Sequence, residues 1–278
     1  MAIPPEQSVR QLATDVREGN RSSIDLVEAS LDGIDANADL NAFITVIDDA
    51  RDRAREADAA ATREDDLGPL HGVPVGVKDL RGRKQGVRHT LGLEPLSRNV
   101  AESDSIGVER LERAGAVIVG TTNTPAIGHT IKTENRLVGA TPTPFDLERS
   151  AGGSSGGSAA ALAAGIVGLA TGSDVGGSLR VPASCCNVVG LKPTLGVVPN
   201  RAPTDGFSSH TPFLVSGPMA RTVEDTALLL DILAGPDDRD PHSVPDPGTD
   251  YVAATGRPAA DLSVAYSPNL DLQPVAPQ

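Results

Sequence analysis

Aromatic side chains are scarce in this chain of 278 residues: Phe, Tyr and Trp together make up 2% of it, and Trp is absent. The core must therefore be built from Ala, Val, Leu and Ile. A chain of this length can do so, because about 75% of its unfolded surface is hidden on folding. Cysteine is also rare: only Cys185 and Cys186 occur, and they lack the C-x-x-C spacing of a redox or zinc pair. We interpret both as small core residues in a reducing compartment.

Positive charge is in short supply as well. The formal net charge is −13, and lysine occurs at four positions only: Lys78, Lys84, Lys132 and Lys192. An acidic surplus argues against direct nucleic-acid binding, in which basic patches provide most of the affinity. A lysine-poor acidic surface is typical of a halophile, since a salt-rich cytoplasm screens self-repulsion. An ordinary acidic bacterial protein is the alternative.

The rarity of lysine makes Lys78 a candidate functional residue. Arg stays charged in proteins, whereas a buried Lys can lose its proton. A lysine retained where most positive charges are Arg is therefore expected to do what Arg cannot. Lys78 follows the apolar residues 73–77, which predict a buried strand and hence a buried amine. Lys192, in the sequence GLKP, is interpreted as structural.

Long hydrophobic runs are missing. The longest, residues 159–167, is broken by a glycine and is too short to span a bilayer. The N-terminus has no basic stretch followed by an apolar segment, which is the pattern of a signal peptide. These observations predict a soluble cytoplasmic protein that does not associate with membranes.

Helical and strand patterns alternate along the chain, as is typical of an α/β sheet with helical crossovers. Hydrophobic periodicity predicts helices over residues 8–20, 23–36, 49–63, 106–114, 158–167 and 222–233, and strands over 41–47, 73–77, 117–119, 166–171 and 262–266. Ser22, with Asp25 three residues later, gives a weak capping signal for the second helix. We expect a single domain over 1–278, with a mainly helical lead-in over 1–62 and a core over 63–278.

Two glycine–serine segments carry the strongest functional signal: 152–158 (GGSSGGS) and 173–178 (SDVGGS). Glycine on both sides of a serine lets the backbone adopt positive φ and approach a ligand closely. It also leaves N–H groups free to converge on an anion. A serine hydroxyl, an upstream amine and free N–H donors are the parts of an acyl-transfer site, and they indicate an enzyme.

These loops and the motifs around them resemble the amidase signature family. The similar stretch begins at HGVPVGVKD (71–79) and ends at GPMART (217–222), with residues 151–161, 172–182 and 190–194 between them. The resemblance covers most of the chain. It implies an α/β fold with a mixed central sheet covered by helices on both faces. Members of the family usually continue for well over a hundred residues beyond this end, so we expect a chain truncated at its C-terminus.

The resemblance also implies a Ser–cis-Ser–Lys catalytic unit. Ser178 matches the nucleophile, Ser154 matches the bridging serine that follows a cis peptide bond, and Lys78 matches the base. The hydrolysis of a carboxamide C–N bond through an acyl-serine intermediate is the implied activity, with a small-molecule amide as substrate. No metal ion or organic cofactor is implied. The assembly is left open between a homodimer and a complex with amidotransferase subunits.

Further site residues follow from the same resemblance. It assigns an oxyanion hole to the main-chain N–H groups of Val175, Gly176, Gly177 and Ser178. It assigns hydrogen bonds between the two loops to Ser155, Asp174 and Arg180. A loop bordering the acyl pocket is matched by Asn123 and Thr124.

The chemistry of the three central side chains can also be argued from the residues themselves. A serine hydroxyl is a poor nucleophile unless a neighbour takes its proton. The usual lysine pKa near 10.4 is too high for that task. Burial among Val75, Val77 and the glycine loops penalises the ammonium and lowers the pKa of Lys78. Ser154 relays the proton from Ser178 to Lys78 in this scheme, so no histidine is needed.

Other interpretations stay open. One is the glutaminase subunit of a glutamyl- or aspartyl-tRNA amidotransferase, and another is a catalytically silent, truncated member of the family. The sequence GGSSG also satisfies the G-x-S-x-G pattern of α/β-hydrolases, with Ser154 as nucleophile and His210 or His242 as base. A phosphate cradle is the fourth, although the Gly-Lys-Ser/Thr ending of a P-loop is absent. The five histidines, which include His71, His89 and His129, lack metal-ligand spacing.

Overall fold

The computed structural model describes residues 7–63, 67–201, 213–258, 260 and 262–267. Its strands are β1 (Phe43–Val46), β2 (Pro74–Lys78), β3 (Val117–Thr122), β4 (Glu134–Asn135), β5 (Gly139–Ala140), β6 (Pro142–Thr143), β7 (Asp146–Ser150), β8 (Leu169–Asp174), β9 (Val189–Gly190) and β10 (Val215–Ala220). Six of them form a central sheet in the order β1-β3-β2-β8-β10-β9. β2 runs parallel to β3 and β8, whereas β1, β9 and β10 pair antiparallel with their neighbours. The sheet is therefore mixed, as predicted.

The helices are α1 (Val9–Arg17), α2 (Ser23–Ala36), α3 (Ala50–Thr62), α4 (Ile106–Arg113), α5 (Gly156–Ala163), α6 (Arg180–Cys185), α7 (Val223–Leu233) and α8 (Tyr251–Thr255). Short 3₁₀ turns occupy Ala38–Leu40, Glu94–Leu96 and Ala126–Gly128. Among the described residues, no helix is both long and apolar enough to cross a bilayer.

Helices cover both faces of the sheet, which confirms the predicted fold class. On one face, the β2 side chains Val75 and Val77 share a hydrophobic cluster with residues of α1, α4 and α7. On the other, Val119 of β3 packs with residues of α2, α3 and α5. Because successive side chains of a strand point to opposite faces, Lys78 lies on the face of α5 while Val77 faces α4 and α7.

Helix α5 begins at Gly156, two residues earlier than the predicted helix over 158–167, and it ends at Ala163. A Cβ on Gly156 would lie 2.4 Å from Thr133 Oγ1, and a Cβ on Gly157 would lie 2.2 Å from Asn123 N. These glycines therefore let the start of the helix sit directly against the end of β3. The strand after the helix, predicted over 166–171, begins at Leu169.

Strand β10 is absent from the predictions although it pairs with β8 on one side and β9 on the other. Its sequence contains Gly217 and Pro218, residue types that weaken the signal for a central strand. Gly217 is required by packing, since a Cβ there would lie 2.4 Å from the carbonyl oxygen of Leu191. The chain thus places a glycine where two segments approach closely.

Three sequence predictions are wrong. Residues 262–266 do not form a strand, and the apolar side chains of this segment are 69% to 87% exposed, because no strand edge in the described part of the chain pairs with them. Ser22 makes no capping bond. The carboxylate of Asp58 from α3 accepts from the N–H groups of Ser23 and Ile24 instead. Cys186 is buried but Cys185 is exposed, since neighbouring positions at a helix end point about 100° apart.

The end of α7 is held by a side chain of α4. Arg110 donates to the carbonyl oxygens of Leu233 and Ala234, at 2.6 Å each, and to those of Gly235 at 3.0 Å and Pro236 at 2.9 Å. The last carbonyl groups of a helix have no partners within the helix. The guanidinium therefore satisfies them and ties α4 to α7.

We expect Arg110→Ala to lower the free energy of unfolding by about 2–3 kcal/mol, because it removes hydrogen bonds from a charged donor and leaves carbonyl groups unpaired. Arg113→Ala, at an exposed position of the same helix, is the control and should change stability by less than about 0.5 kcal/mol. Urea unfolding followed by circular dichroism measures both. Equal effects of the two substitutions would contradict this role of Arg110.

Candidate active site

Lys78 is the last residue of β2, and it is 2% exposed. Its Nζ lies 2.7 Å from Ser154 Oγ, 2.9 Å from Ser155 Oγ and 3.1 Å from Ser173 Oγ. An ammonium can donate to all three hydroxyl groups. A neutral amine can donate to two of them and accept a proton from the third. The arrangement therefore accommodates both protonation states.

The surroundings of Lys78 favour the neutral amine. Burial lowers the pKa of Lys78 well below its usual value, because the ammonium loses its hydration. The negative charge of Asp174 opposes this shift, and the positive charge of Arg81 reinforces it. The neutral amine that this shift favours can accept a proton, which an arginine could not do.

The first glycine–serine loop presents Ser154 and Ser155 to this amine. The peptide bond between Gly153 and Ser154 is cis. A Cβ on Gly153 would lie 2.9 Å from the main chain of Ile131, so a side chain has no space there. Ser155 Oγ also donates to the carbonyl oxygen of Ser173 at 3.3 Å. The loop is thus fixed against β8.

Ser178 lies in the second loop and is 7% exposed. Its carbonyl oxygen accepts from the N–H of Ser155 at 3.2 Å, so the main chains of the two loops are bonded to each other. Within the described residues, Ser178 Oγ makes no hydrogen bond to Ser154 or Lys78. The structure therefore brings Lys78 and Ser154 together and places Ser178 in the adjoining loop.

Asp174 shapes this second loop. Its carboxylate accepts from Gly177 N at 2.7 Å, from Leu179 N at 3.0 Å and from Arg180 through two bonds of 3.0 Å. Burial raises the pKa of Asp174, but these donors outweigh burial and lower the pKa to about 2. Asp174 is therefore ionised at neutral pH. The N–H of Gly177 is engaged by it, whereas Gly176 N and Ser178 N bond to no acceptor in the described part of the chain.

Asn123 and Thr124 are both fully buried. Asn123 donates to Thr141 Oγ1 at 2.8 Å and accepts from Asn135 Nδ2 at 2.6 Å and from Thr124 N at 2.9 Å. These bonds connect the end of β3 to the β4–β5 hairpin. In the segment that follows, the exposed large hydrophobic side chains are those of Ile127 and Ile131.

Two residues of the site are missing from the sequence predictions. Ser173 contacts the amine of Lys78, and its place in the second glycine–serine segment is a signal that could have identified it. Asp79 is completely buried beside Lys78, and its carboxylate accepts from both N and Oγ1 of Thr90. Its sequence signals are adjacency to Lys78 and its place at the end of the motif HGVPVGVKD.

The interpretation of GGSSG as the G-x-S-x-G pattern of an α/β-hydrolase, with Ser154 as nucleophile, does not fit the position of Ser154. In an α/β-hydrolase the nucleophile follows a strand of the main sheet. Here the preceding strand, β7, pairs with β6 in a separate two-stranded sheet. His210 lies outside the described residues. His242 lines a small cavity together with Arg81 and Asp240.

Metal-ligating side chains do not gather in the described part of the chain. No group of three or more His, Cys, Asp or Glu residues there is arranged to hold a metal ion. The polar groups of the site are hydroxyl groups, one amine, the carboxylates of Asp79 and Asp174, and main-chain N–H donors. They suit proton transfer and the binding of an oxyanion.

Asp79 makes stability depend on pH. Burial raises its pKa from the usual 3.8 to about 6, although the hydrogen bonds from Thr90 oppose the shift. The folded state therefore holds the proton more tightly, and the stability due to this group rises as pH falls through 6. As the pH is lowered from 7 to 5, we expect the free energy of unfolding of the wild-type protein to increase relative to that of Asp79→Asn.

Chemical denaturation at several pH values measures this difference. The exposed variant Asp39→Asn, compared with the wild type in the same way, provides the control. If the difference in unfolding free energy between the wild type and each variant changed with pH to the same extent for Asp79→Asn and Asp39→Asn, the pKa of Asp79 would not be raised.

Known proteins resemble this chain over most of its length. A family model described as Amidase matches residues 25–278. An acylamidase of Rhodococcus erythropolis is 43% identical over 277 residues, which are 98% of this chain and 56% of that protein. A glutamyl-tRNA(Gln) amidotransferase subunit of Carboxydothermus hydrogenoformans is 39% identical over 259 residues, which are 92% of this chain and 53% of that protein.

Solved structures agree with these relatives. A bacterial aryl acylamidase of the amidase signature family superimposes with a TM-score of 0.83 at 35% identity, covering 89% of this chain and 51% of the other. Peptide amidase from Stenotrophomonas maltophilia gives a TM-score of 0.79 at 34% identity, and the match covers 89% of this chain and 52% of the peptide amidase. The chain spans about half the length of the curated relatives that it matches. The family match and these identities show that the chain belongs to the amidase signature family.

Proposed function

We propose that this protein hydrolyses the C–N bond of carboxamides through an acyl-Ser178 intermediate, with Lys78 as the base and Ser154 as the proton relay. The observation that carries the proposal is the buried amine of Lys78, 2.7 Å from Ser154 Oγ. Burial lowers the pKa of this amine and so favours the neutral form, which can act as the proton acceptor. Ser178 lies in the loop bonded to Ser155.

The carbonyl group of the substrate binds at the second loop in this proposal. The N–H groups of Gly176 and Ser178 are available to its oxygen within the described residues. Gly177 N–H donates to Asp174, so we assign the oxyanion hole to Val175, Gly176 and Ser178. Donors placed where negative charge develops stabilise the transition state, and one of them typically contributes about 3 kcal/mol.

Acylation then proceeds by proton transfer coupled to attack. Ser178 Oγ attacks the carbonyl carbon and gives its proton to Ser154 Oγ, while Ser154 gives its own proton to the amine of Lys78. The resulting tetrahedral intermediate then breaks its C–N bond. The leaving nitrogen of the substrate takes up the proton, which returns from Lys78 through Ser154. The products of this half are an ester on Ser178 and free ammonia or an amine.

Deacylation reverses the same route with water. Water attacks the ester carbonyl and passes a proton through Ser154 to Lys78. Ser178 leaves as the alcohol after that proton returns to it, and the carboxylic acid is released. Ser178 Oγ makes no hydrogen bond in the described part of the chain, and catalytic hydrogen bonds often tighten only in the complex with substrate.

A glutaminase subunit of a tRNA-dependent amidotransferase is the second candidate. Its specific support is the 39% identity to the amidotransferase subunit of Carboxydothermus hydrogenoformans. We favour a stand-alone amidase, because the acylamidase of Rhodococcus erythropolis is more similar and is matched over 98% of this chain. Purification from its source either alone or with two further subunits distinguishes the two.

A fluorophosphonate probe tests the assignment of the nucleophile. We expect the wild-type protein to be labelled at Ser178, located by mass spectrometry of the modified peptide. Ser178→Ala should abolish the label and lower amide hydrolysis about a thousandfold or more. Ser154→Ala should slow labelling without moving it, because the relay is lost while the nucleophile remains.

Ser103→Ala, at an exposed position outside both loops, is the control and should be labelled like the wild type. A label on Ser154 that survives Ser178→Ala would instead establish the α/β-hydrolase type of mechanism.

Lys78→Arg tests the requirement for a neutral amine. Arginine keeps the positive charge but cannot lose its proton, so we expect hydrolysis to be lost at every pH between 6 and 10. Lys132→Arg, at an exposed ion pair with Glu134, should keep the wild-type rate. Initial rates and circular dichroism spectra of both variants provide the measurement. A folded Lys78→Arg protein with wild-type activity would exclude Lys78 as the base.

A further inference from the structure

Three exposed aliphatic side chains stand beside the loops that carry the hydroxyl groups. Ile127, Ile131 and Val175 are 55%, 65% and 45% exposed, and we call them the aliphatic rim. Val175 lies in the second loop, between Asp174 and Ser178. The scarcity of aromatic residues in the chain makes aliphatic side chains its main means of contacting an apolar ligand.

The other two rim residues belong to segments in contact with the first loop. Gly128, next to Ile127, packs so closely that a Cβ there would lie 3.2 Å from Ser154 Oγ. The main-chain carbon of Ile131 would lie 2.9 Å from a Cβ on Gly153. The segment of Ile127 therefore approaches the hydroxyl of Ser154, and the segment of Ile131 approaches the main chain of Gly153. Both rim segments thus lie against the first loop.

The backbone of Ile127 gives an independent indication. Its φ is +49°, in the left-handed region that a β-branched residue rarely adopts. The turn is held by a hydrogen bond of 2.7 Å from Ile127 N to the carbonyl oxygen of Leu91. Glycine or asparagine would suit this turn better. An isoleucine retained there with an exposed side chain indicates a use for that side chain, since such strain persists mainly at functional sites.

Charged side chains next to the rim are already paired. Lys132 Nζ lies 2.6 Å from Glu134, and Arg180 is bonded to Asp174. Recognition of free glutamine requires groups that pair with its ammonium and its carboxylate. The charged side chains next to the rim are instead paired with one another, Lys132 with Glu134 and Arg180 with Asp174.

We propose that the aliphatic rim contacts the substrate, and that the preferred substrates are amides with an apolar group of about four carbons or more beside the scissile bond, rather than free glutamine. This inference rests on the proposed function. Each methylene that the rim removes from water should raise kcat/KM about fourfold. The apolar group is on the acyl side or on the amine side of the amide, and two substrate series distinguish these.

The experiment measures kcat/KM of the 278-residue chain for linear primary amides from acetamide to hexanamide, and for acetanilide and glutamine. We expect kcat/KM to rise with chain length on the acyl side, or from acetamide to acetanilide on the amine side, with glutamine poorest. Ile131→Thr should reduce the ratio of kcat/KM for the preferred apolar substrate to kcat/KM for acetamide by threefold or more. Leu147→Thr, at an exposed aliphatic position of β7, should leave this ratio unchanged.

A binding measurement separates this inference from the proposed function. Calorimetry on Ser178→Ala gives the affinities for hexanamide, acetanilide and acetamide without turnover. Tighter binding of an apolar amide that Ile131→Thr abolishes would support the rim even if no amide were hydrolysed. Hydrolysis with a flat substrate profile, a preference for glutamine, or equal effects of Ile131→Thr and Leu147→Thr would overturn it. If the protein neither hydrolysed any amide nor bound an apolar amide selectively, both proposals would be overturned.

Discussion

The amine of Lys78 is held away from water at the end of a central strand, and the arrangement of the site follows from that constraint. An ammonium in such a place loses its hydration, so the neutral form gains in relative stability. Three hydroxyl groups surround the amine without adding a negative charge. Asp174, whose negative charge favours the ammonium, is paired with Arg180 and with main-chain donors, which limits how far it can restore the charge of Lys78.

The sheet explains why these groups meet. β2, β3 and β8 are neighbouring parallel strands, and their carboxyl ends lie at one edge, where α/β proteins commonly bind ligands. β2 ends in Lys78 and β8 ends in Ser173 and Asp174. Gly156 and Gly157 allow α5 to start against the end of β3, and this places the loop with Ser154 and Ser155 over the same edge. The site is thus a consequence of strand order together with glycine at the closest contacts.

Much of this arrangement could be predicted because it depends on local pattern. The apolar residues before Lys78 predicted both β2 and the burial of its amine, and hydrophobic periodicity predicted helices such as α1, α2 and α7. The other features depend on contacts between distant segments. β10 contains a glycine and a proline that suit its neighbours rather than an isolated strand, and the cap of α2 is provided by Asp58. The burial of Asp79 and the use of Gly177 N–H by Asp174 are likewise set by tertiary packing.

The most direct test of the account is the protonation state of Lys78 itself. The chain has only four lysines, so protein labelled with ¹³C-lysine gives a small set of side-chain resonances, and Lys78→Arg identifies the one of interest. Their chemical shifts followed against pH report each pKa. We predict that the resonance of Lys78 titrates well below the ordinary lysine value, because burial lowers its pKa. Titration of Lys78 near the ordinary lysine value of about 10.4 would contradict it.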